Sequence, residues 1–192
     1  MQTMDFNRSI QLAETREAII GSALGRYYNA SICFISGQER LKEYDFCLYS
    51  ANKGWAQKIE MQDDYYVTNM DQNLCFELYT HQKNGTKDGK IYYTKATKIC
   101  YVLNNLKKIL LLDVNTLKEF IISLEHQNLL NVYQPADHES WIAKHDTAPT
   151  ASALLPIKET LLQDQTSRVL TFEQLNIPSN YDQFRFKRNN NN

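Results

Sequence analysis

The chain has 192 residues, 43% of them hydrophobic and 22% charged, with a formal net charge of -1. That is the size and composition of one globular domain with a sizeable buried core. It supplies no global basic field, so an anionic partner would have to be held by a local patch. Four cysteines lie at least 14 residues apart, with no Cys-x-x-Cys spacing, which argues against a zinc knuckle or redox pair and for buried free thiols. No apolar run approaches the ~20 residues of a membrane span and the N-terminus has no signal-peptide pattern, so the expectation is a soluble, cytoplasmic protein with no membrane partner.

In chain order, Asp5–Tyr28 predicts a first helix, with Ile10, Ala13, Ile20, Ala23 and Leu24 at spacings of three and four and Asp5 or Asn7 as cap. Glu14 and Glu17 lie one turn apart on it, where the ordinary alternative is a solvated polar face. Ser31–Ser36 is a short apolar strand or loop. Tyr44–Tyr49 and Trp55–Met61 form a hairpin through a turn at Ala51–Gly54, and Leu74–Tyr79 follows as a third strand of an antiparallel meander. His81–Lys90 predicts a surface loop and Tyr92–Thr97 a short helix. Ile99–Leu103 and Lys107–Leu112 are strands, and a helix capped by Asn115 or Thr116 runs to about Gln127. Asn131–Thr150 predicts loop, Ala153–Leu162 an apolar stretch broken by Pro156, and Thr171–Leu175 a short helix. The fold class expected is α/β, a mixed sheet of about five strands with flanking helices. Residues 1–165 form the domain and 166–192 a C-terminal extension with an Asn-rich disordered tail.

The hairpin carries the chemistry. Asp45 opens one strand, and period-2 alternation puts Glu60 and Gln62 on one face of the next. Two carboxylates at one end of a sheet suit Mg²⁺, which takes one or two carboxylates and keeps positions for water and phosphate. The carbonyl of Met61 would complete the protein's share, and Gln62 would orient the attacking water. Between His81 and Lys108 stand seven lysines against one acid, Asp88, a local excess of six in a chain near neutrality. Beside a metal site, lysines and glycines of this kind suit a phosphate backbone. The scattered His81, His126, His138 and His145 have no ligand spacing, and no P-loop, GxSxG or GxGxxG occurs.

In sequence order, Asp45, Glu60-Met61-Gln62, Asp63-Asp64-Tyr65, Phe76-Glu77, Gly85-Thr86-Lys87-Asp88-Gly89, Tyr93-Thr94-Lys95-Ala96 and Tyr101-Val102-Leu103 together resemble the PD-(D/E)XK nuclease superfamily. The closest likeness is to its small phage- and bacteria-associated members, and it spans about residues 10–162. The resemblance implies a restriction-endonuclease-like core and a Mg²⁺-dependent endonuclease, with Mn²⁺ able to substitute, hydrolysing DNA to 5′-phosphate ends. It implies Asp45 and Glu60 as the metal pair with Met61, Glu17 as an acid joining through water, and Glu77 as an additional acid. Lys83, Lys87, Lys90, Thr94 and Lys95 would contact phosphate. The chain departs from the pattern at Gln62, where most members have the water-activating lysine, and at Tyr44, where the family name has proline. A homodimer would present two sites to the two strands of a duplex. Two alternatives stand beside this reading: a nuclease-like DNA-binding module that no longer cleaves, and a structural or interaction protein with no nucleic-acid role.

Overall fold

The computed structural model describes residues 2–35, 44–82, 85–134, 150–178 and 180–181. Lys83, His138, Trp141, His145 and the C-terminal basic-aromatic stretch lie outside them, as do Ser36 and the Asn-rich tail. The elements in order are α1 (Gln2–Tyr28), β1 (Ser31–Phe34), β2 (Phe46–Ser50), β3 (Trp55–Asp64), β4 (Asn73–Gln82), β5 (Gly85–Asp88) and α2 (Lys90–Tyr93). They continue with β6 (Lys98–Leu103), β7 (Lys108–Asp113), α3 (Val114–His126), β8 (Val132–Tyr133), β9 (Thr150–Pro156), α4 (Ile157–Gln163) and β10 (Arg168–Thr171).

The architecture is α/β, and its strands form two sheets. A six-stranded sheet has the order β1-β2-β3-β6-β7-β10, and a four-stranded sheet the order β5-β4-β9-β8. All pairings are antiparallel except β3 with β6, which makes the larger sheet mixed. The expected meander therefore ends at β3. β4 leaves the sheet, opens the second one, and the chain returns through α2 to run parallel beside β3 at β6. A parallel neighbour requires such a crossover, because a tight turn can only reverse the chain.

The residues of β6 and β7 explain why these two strands sit in the middle. Ile99, Tyr101 and Leu103 pack in one core with Leu110 and Leu112, while Cys100 and Val102 pack in the other with Ile109 and Leu111. An unbroken apolar run is what a strand covered on both faces needs. One core lies between the large sheet and α1, where Ile20, Ala23 and Leu24 meet Phe46, Leu48 and Ile59. The other lies between the large sheet, β4, β9 and α3, where Phe76, Leu117 and Ile121 meet Tyr101.

Several boundaries differ from expectation for local reasons. Gly54 closes the β2–β3 turn at φ 65, a left-handed conformation that glycine adopts without a Cβ clash. The predicted loop at 81–90 contains the end of β4 and all of β5. The cap of α3 is Asp113, whose side chain accepts from the Thr116 amide at 3.0 Å, so the helix starts ahead of Asn115. Thr171 ends β10 and its hydroxyl accepts from the Gln174 amide at 3.1 Å. That makes a turn where a short helix was predicted, because Asn176 at φ 52 reverses the chain. β10 extends the large sheet beside β7, and Tyr181 beyond it is buried against the α1 face.

Candidate functional site

β3 is the strand on which the site is built. β2 pairs with its first half and β6 with its second, and the exchange falls at Ile59 and Glu60. Asp45 stands immediately before β2 at this exchange. Its amide donates to the Ile59 carbonyl at 2.9 Å, and its Oδ2 accepts from the Met61 amide at 2.7 Å. The carboxylate thereby occupies a ladder position that no strand fills, which fixes it beside Glu60.

Asp45 is 7% exposed, Glu60 9% and Glu17 8%, values far below those of ordinary surface acids. Glu17 shares its helix stripe with Ile20 and Leu24, so the side of α1 turned to the sheet carries it, whereas Glu14 is exposed. Burial, the neighbouring Asp45 and then Glu17 push the Glu60 carboxyl up to about 8, against the opposing pull of Lys90. Lys90 Nζ lies 2.8 Å from Glu60 Oε1. Burial is the largest single influence on the Lys90 ammonium and lowers its value, but the charge and hydrogen bond of Glu60, together with Asp45 and Tyr93, outweigh it and leave the value raised. The second oxygen, Glu60 Oε2, is buried and has no hydrogen-bond partner.

Glu60 opens onto a cavity of about 260 Å³ lined by Met61, Gln62, Phe76, Glu77, Lys90, Ile91, Thr94 and Ile99. A larger hollow of about 580 Å³ lies elsewhere, at the C-terminal end of α1, and no acid lines it. Lys90 reaches the site because α2 starts tight against β4. The Gly89 amide donates to the Leu78 carbonyl at 2.7 Å, and a Cβ on Gly89 would press into the Glu77 carbonyl and, at 2.6 Å, the Leu78 carbonyl carbon. Only glycine allows that approach.

The expected residues divide as follows. Asp45, Glu60 and Glu17 come together electrostatically, and Met61, Gln62, Glu77, Lys90 and Thr94 share the cavity with Glu60. Thr94 is buried, and its hydroxyl accepts from the Ala96 amide at 3.1 Å. Gln62 lines the cavity, and its Nε2 donates to the Cys75 carbonyl at 2.6 Å, which ties β3 to β4. Lys95 and Lys87 are exposed and outside the cavity lining, with Lys87 Nζ 5.8 Å from the Tyr93 ring centroid. Lys83 is outside the described residues. The pairing of Lys90 with Glu60 was not legible beforehand; the only trace was a lysine directly after Gly89.

Among the described residues there is no group of three or more His, Cys, Asp or Glu side chains placed to hold a metal ion. A hard cation held by two carboxylates and otherwise by water and phosphate needs no such group. Asp45 and Glu60, with the orphaned Oε2, could offer two oxygen donors to such a cation. Among the described residues no helix is long and apolar enough to cross a membrane. Comparison with known proteins finds no matching family model, no matching curated protein and no matching solved structure.

Proposed function

We propose that the chain is a Mg²⁺-dependent endonuclease that hydrolyses DNA phosphodiester bonds on a restriction-endonuclease-like core. The observation that carries this is the buried Asp45–Glu60 pair, with one Glu60 oxygen unpartnered and a lysine on the other. Crowded buried acids are unfavourable for a fold on its own and become favourable once a cation joins them.

Asp45 and Glu60 would hold the ion, with Glu17 adding negative charge from α1. The bound ion would neutralise the scissile phosphate and acidify a water. Lys90 supplies the point charge that Gln62 lacks, and its ammonium already stands at hydrogen-bond distance from the carboxylate. Gly89 lets the backbone come close, and Thr94 and Glu77 complete the walls. Mn²⁺ would substitute, and a homodimer would address both strands.

Plasmid nicking with Mg²⁺, with Mn²⁺ and with chelator tests the reading. Wild type is expected to nick only with metal, and Glu60→Ala to lose at least the ~10²-fold typical of removing one charge-stabilising group. Undiminished nicking by Glu60→Ala would overturn the site. A second reading, a nuclease-like module that binds DNA without cutting, is favoured by one observation: the Gln62 amide is committed to Cys75. It predicts steeply salt-dependent DNA binding with no nicked product under either metal.

A further inference from the structure

We propose that the opposite face of the large sheet carries a nucleoside-phosphate pocket, walled by Tyr28 and Trp55 and charged by Lys53, Lys98 and Arg168. A cavity of about 310 Å³ lies there, lined by these five residues together with Gln57, Leu111 and Thr166. That volume falls at the lower end of small-ligand sites, about 300–1,000 Å³. It shares no residue with the Glu60 cavity. Adjacent residues of β6, Lys98 and Ile99, line the two cavities from opposite sides, so the occupant is not the scissile phosphate.

The chemistry comes from two ingredients on one wall each. The aromatic part is a pair of rings at 86° with centroids 6.4 Å apart, which presents the edge of one and the face of the other to an incoming planar group. The charged part is three cations. Lys98 Nζ donates to the Thr166 hydroxyl at 2.7 Å and lies 3.4 Å from Asp113 Oδ2, so one of the three is already matched. Arg168 donates to the Thr166 and Ser167 carbonyls, which orients its guanidinium without neutralising it, and its charge is felt at the Tyr28 hydroxyl. Lys53 is exposed on the turn before Trp55, held there by Gly54. Two cations, Lys53 and Arg168, with no ion pair among the described residues and beside a stacking surface recognise a ligand with both a flat aromatic ring and a phosphate. Neither a bare phosphate nor a carboxylic acid would use both walls.

The pocket needs no chemistry at Glu60, and its test is kept separate. In Glu60→Gln protein carrying Trp141→Phe, Trp55 is the single indole and its emission reports the pocket. Titrations would use adenosine monophosphate, a single-stranded oligonucleotide of ~8 residues and inorganic phosphate. Either nucleotide ligand is expected to quench Trp55, and phosphate alone is not. Lys53→Ala with Arg168→Ala, both on the surface, is expected to weaken binding at least ~10-fold, the loss of one charge-assisted contact, and Arg168→Lys to restore part of it. Saturation by the mononucleotide identifies a free ligand, and response to the oligonucleotide alone identifies a strand, both within the proposal. No quenching by either, or quenching indifferent to the double substitution, overturns it. Nicking by the Glu60 wild type would stand unaffected by that result.

Discussion

Lys90 Nζ and Glu60 Oε1 lie 2.8 Å apart across the junction of α2 and β3, in a buried setting where Asp45 and Glu17 oppose the same charge. Lys90→Met would remove the one listener to Glu60 that lowers its value, so the carboxyl would climb beyond about 8. Nicking near neutral pH should fall by about a hundredfold, the size of one charge-stabilising group, with the ascending, acid-side limb of the profile displaced to higher pH. Lys90→Arg should recover part of it. A pH–rate profile of Lys90→Met that overlays wild type would show that the pair has no part in the reaction.

The proton on Glu60 gives a second expectation. Its value in the folded protein is raised from 4.5 to about 8, so the folded state holds the proton more tightly than the unfolded chain. Stability contributed by this group is full below 4.5 and is lost as pH rises through about 8. Glu60→Gln should flatten that decline, as read from denaturant midpoints across the range.

Metal binding must displace the same proton. Calorimetry of Mg²⁺ binding near pH ~7, in buffers of differing ionisation heat, should show close to ~1 proton released, fading to none well above the Glu60 value. Release that is absent at neutral pH would remove Glu60 from the ligand set.

Gly89 supports a prediction at a distance from the acids. Gly89→Ala would drive its Cβ into the β4 carbonyls and push α2 away, costing about 1–3 kcal/mol, as overpacking does. Because Lys90 is the next residue, the nicking rate should fall more than residual folding accounts for. Stability and rate measured on the same preparation separate the two effects.

A last substitution concerns the α1 face. Tyr181 donates to Asp63 Oδ1 at 3.1 Å, and Arg16 lies 3.2 Å from Asp63 Oδ2. Tyr181→Phe should cost about 1 kcal/mol, whereas Asp63→Ala should cost more, since it strands a half-buried guanidinium. Equal losses from both would mean that Arg16 finds another partner.

The parts of this fold that could be read in advance are those whose signal is local. The apolar runs Ile99–Leu103 and Ile109–Leu112 announce doubly covered strands, and Gly54 announces the turn. The β2–β3 hairpin was legible from its short turn, but pairing partners far along the chain were not. Leu74–Tyr79 reads identically whether it continues a meander or founds a second sheet, because hydrogen-bond partners far along the chain leave no periodic trace. The site divides the same way. Asp45 and Glu60 follow from hairpin alternation, whereas the burial of Glu17 depends on which side α1 turns to the sheet. The capture of Gln62 by Cys75 depends on where β4 goes once it leaves.

The α1 face of the large sheet is covered from both ends of the chain, by α1 at one and by Leu170, Phe172 and Tyr181 at the other. A contact such as Tyr181 with Asp63 closes a loop of more than a hundred residues, the kind of closure that slows folding. During synthesis, Asp45 and Glu60 emerge long before that cover exists. Until Leu170, Phe172 and Tyr181 are in place, the part of that apolar face which α1 leaves uncovered stays open.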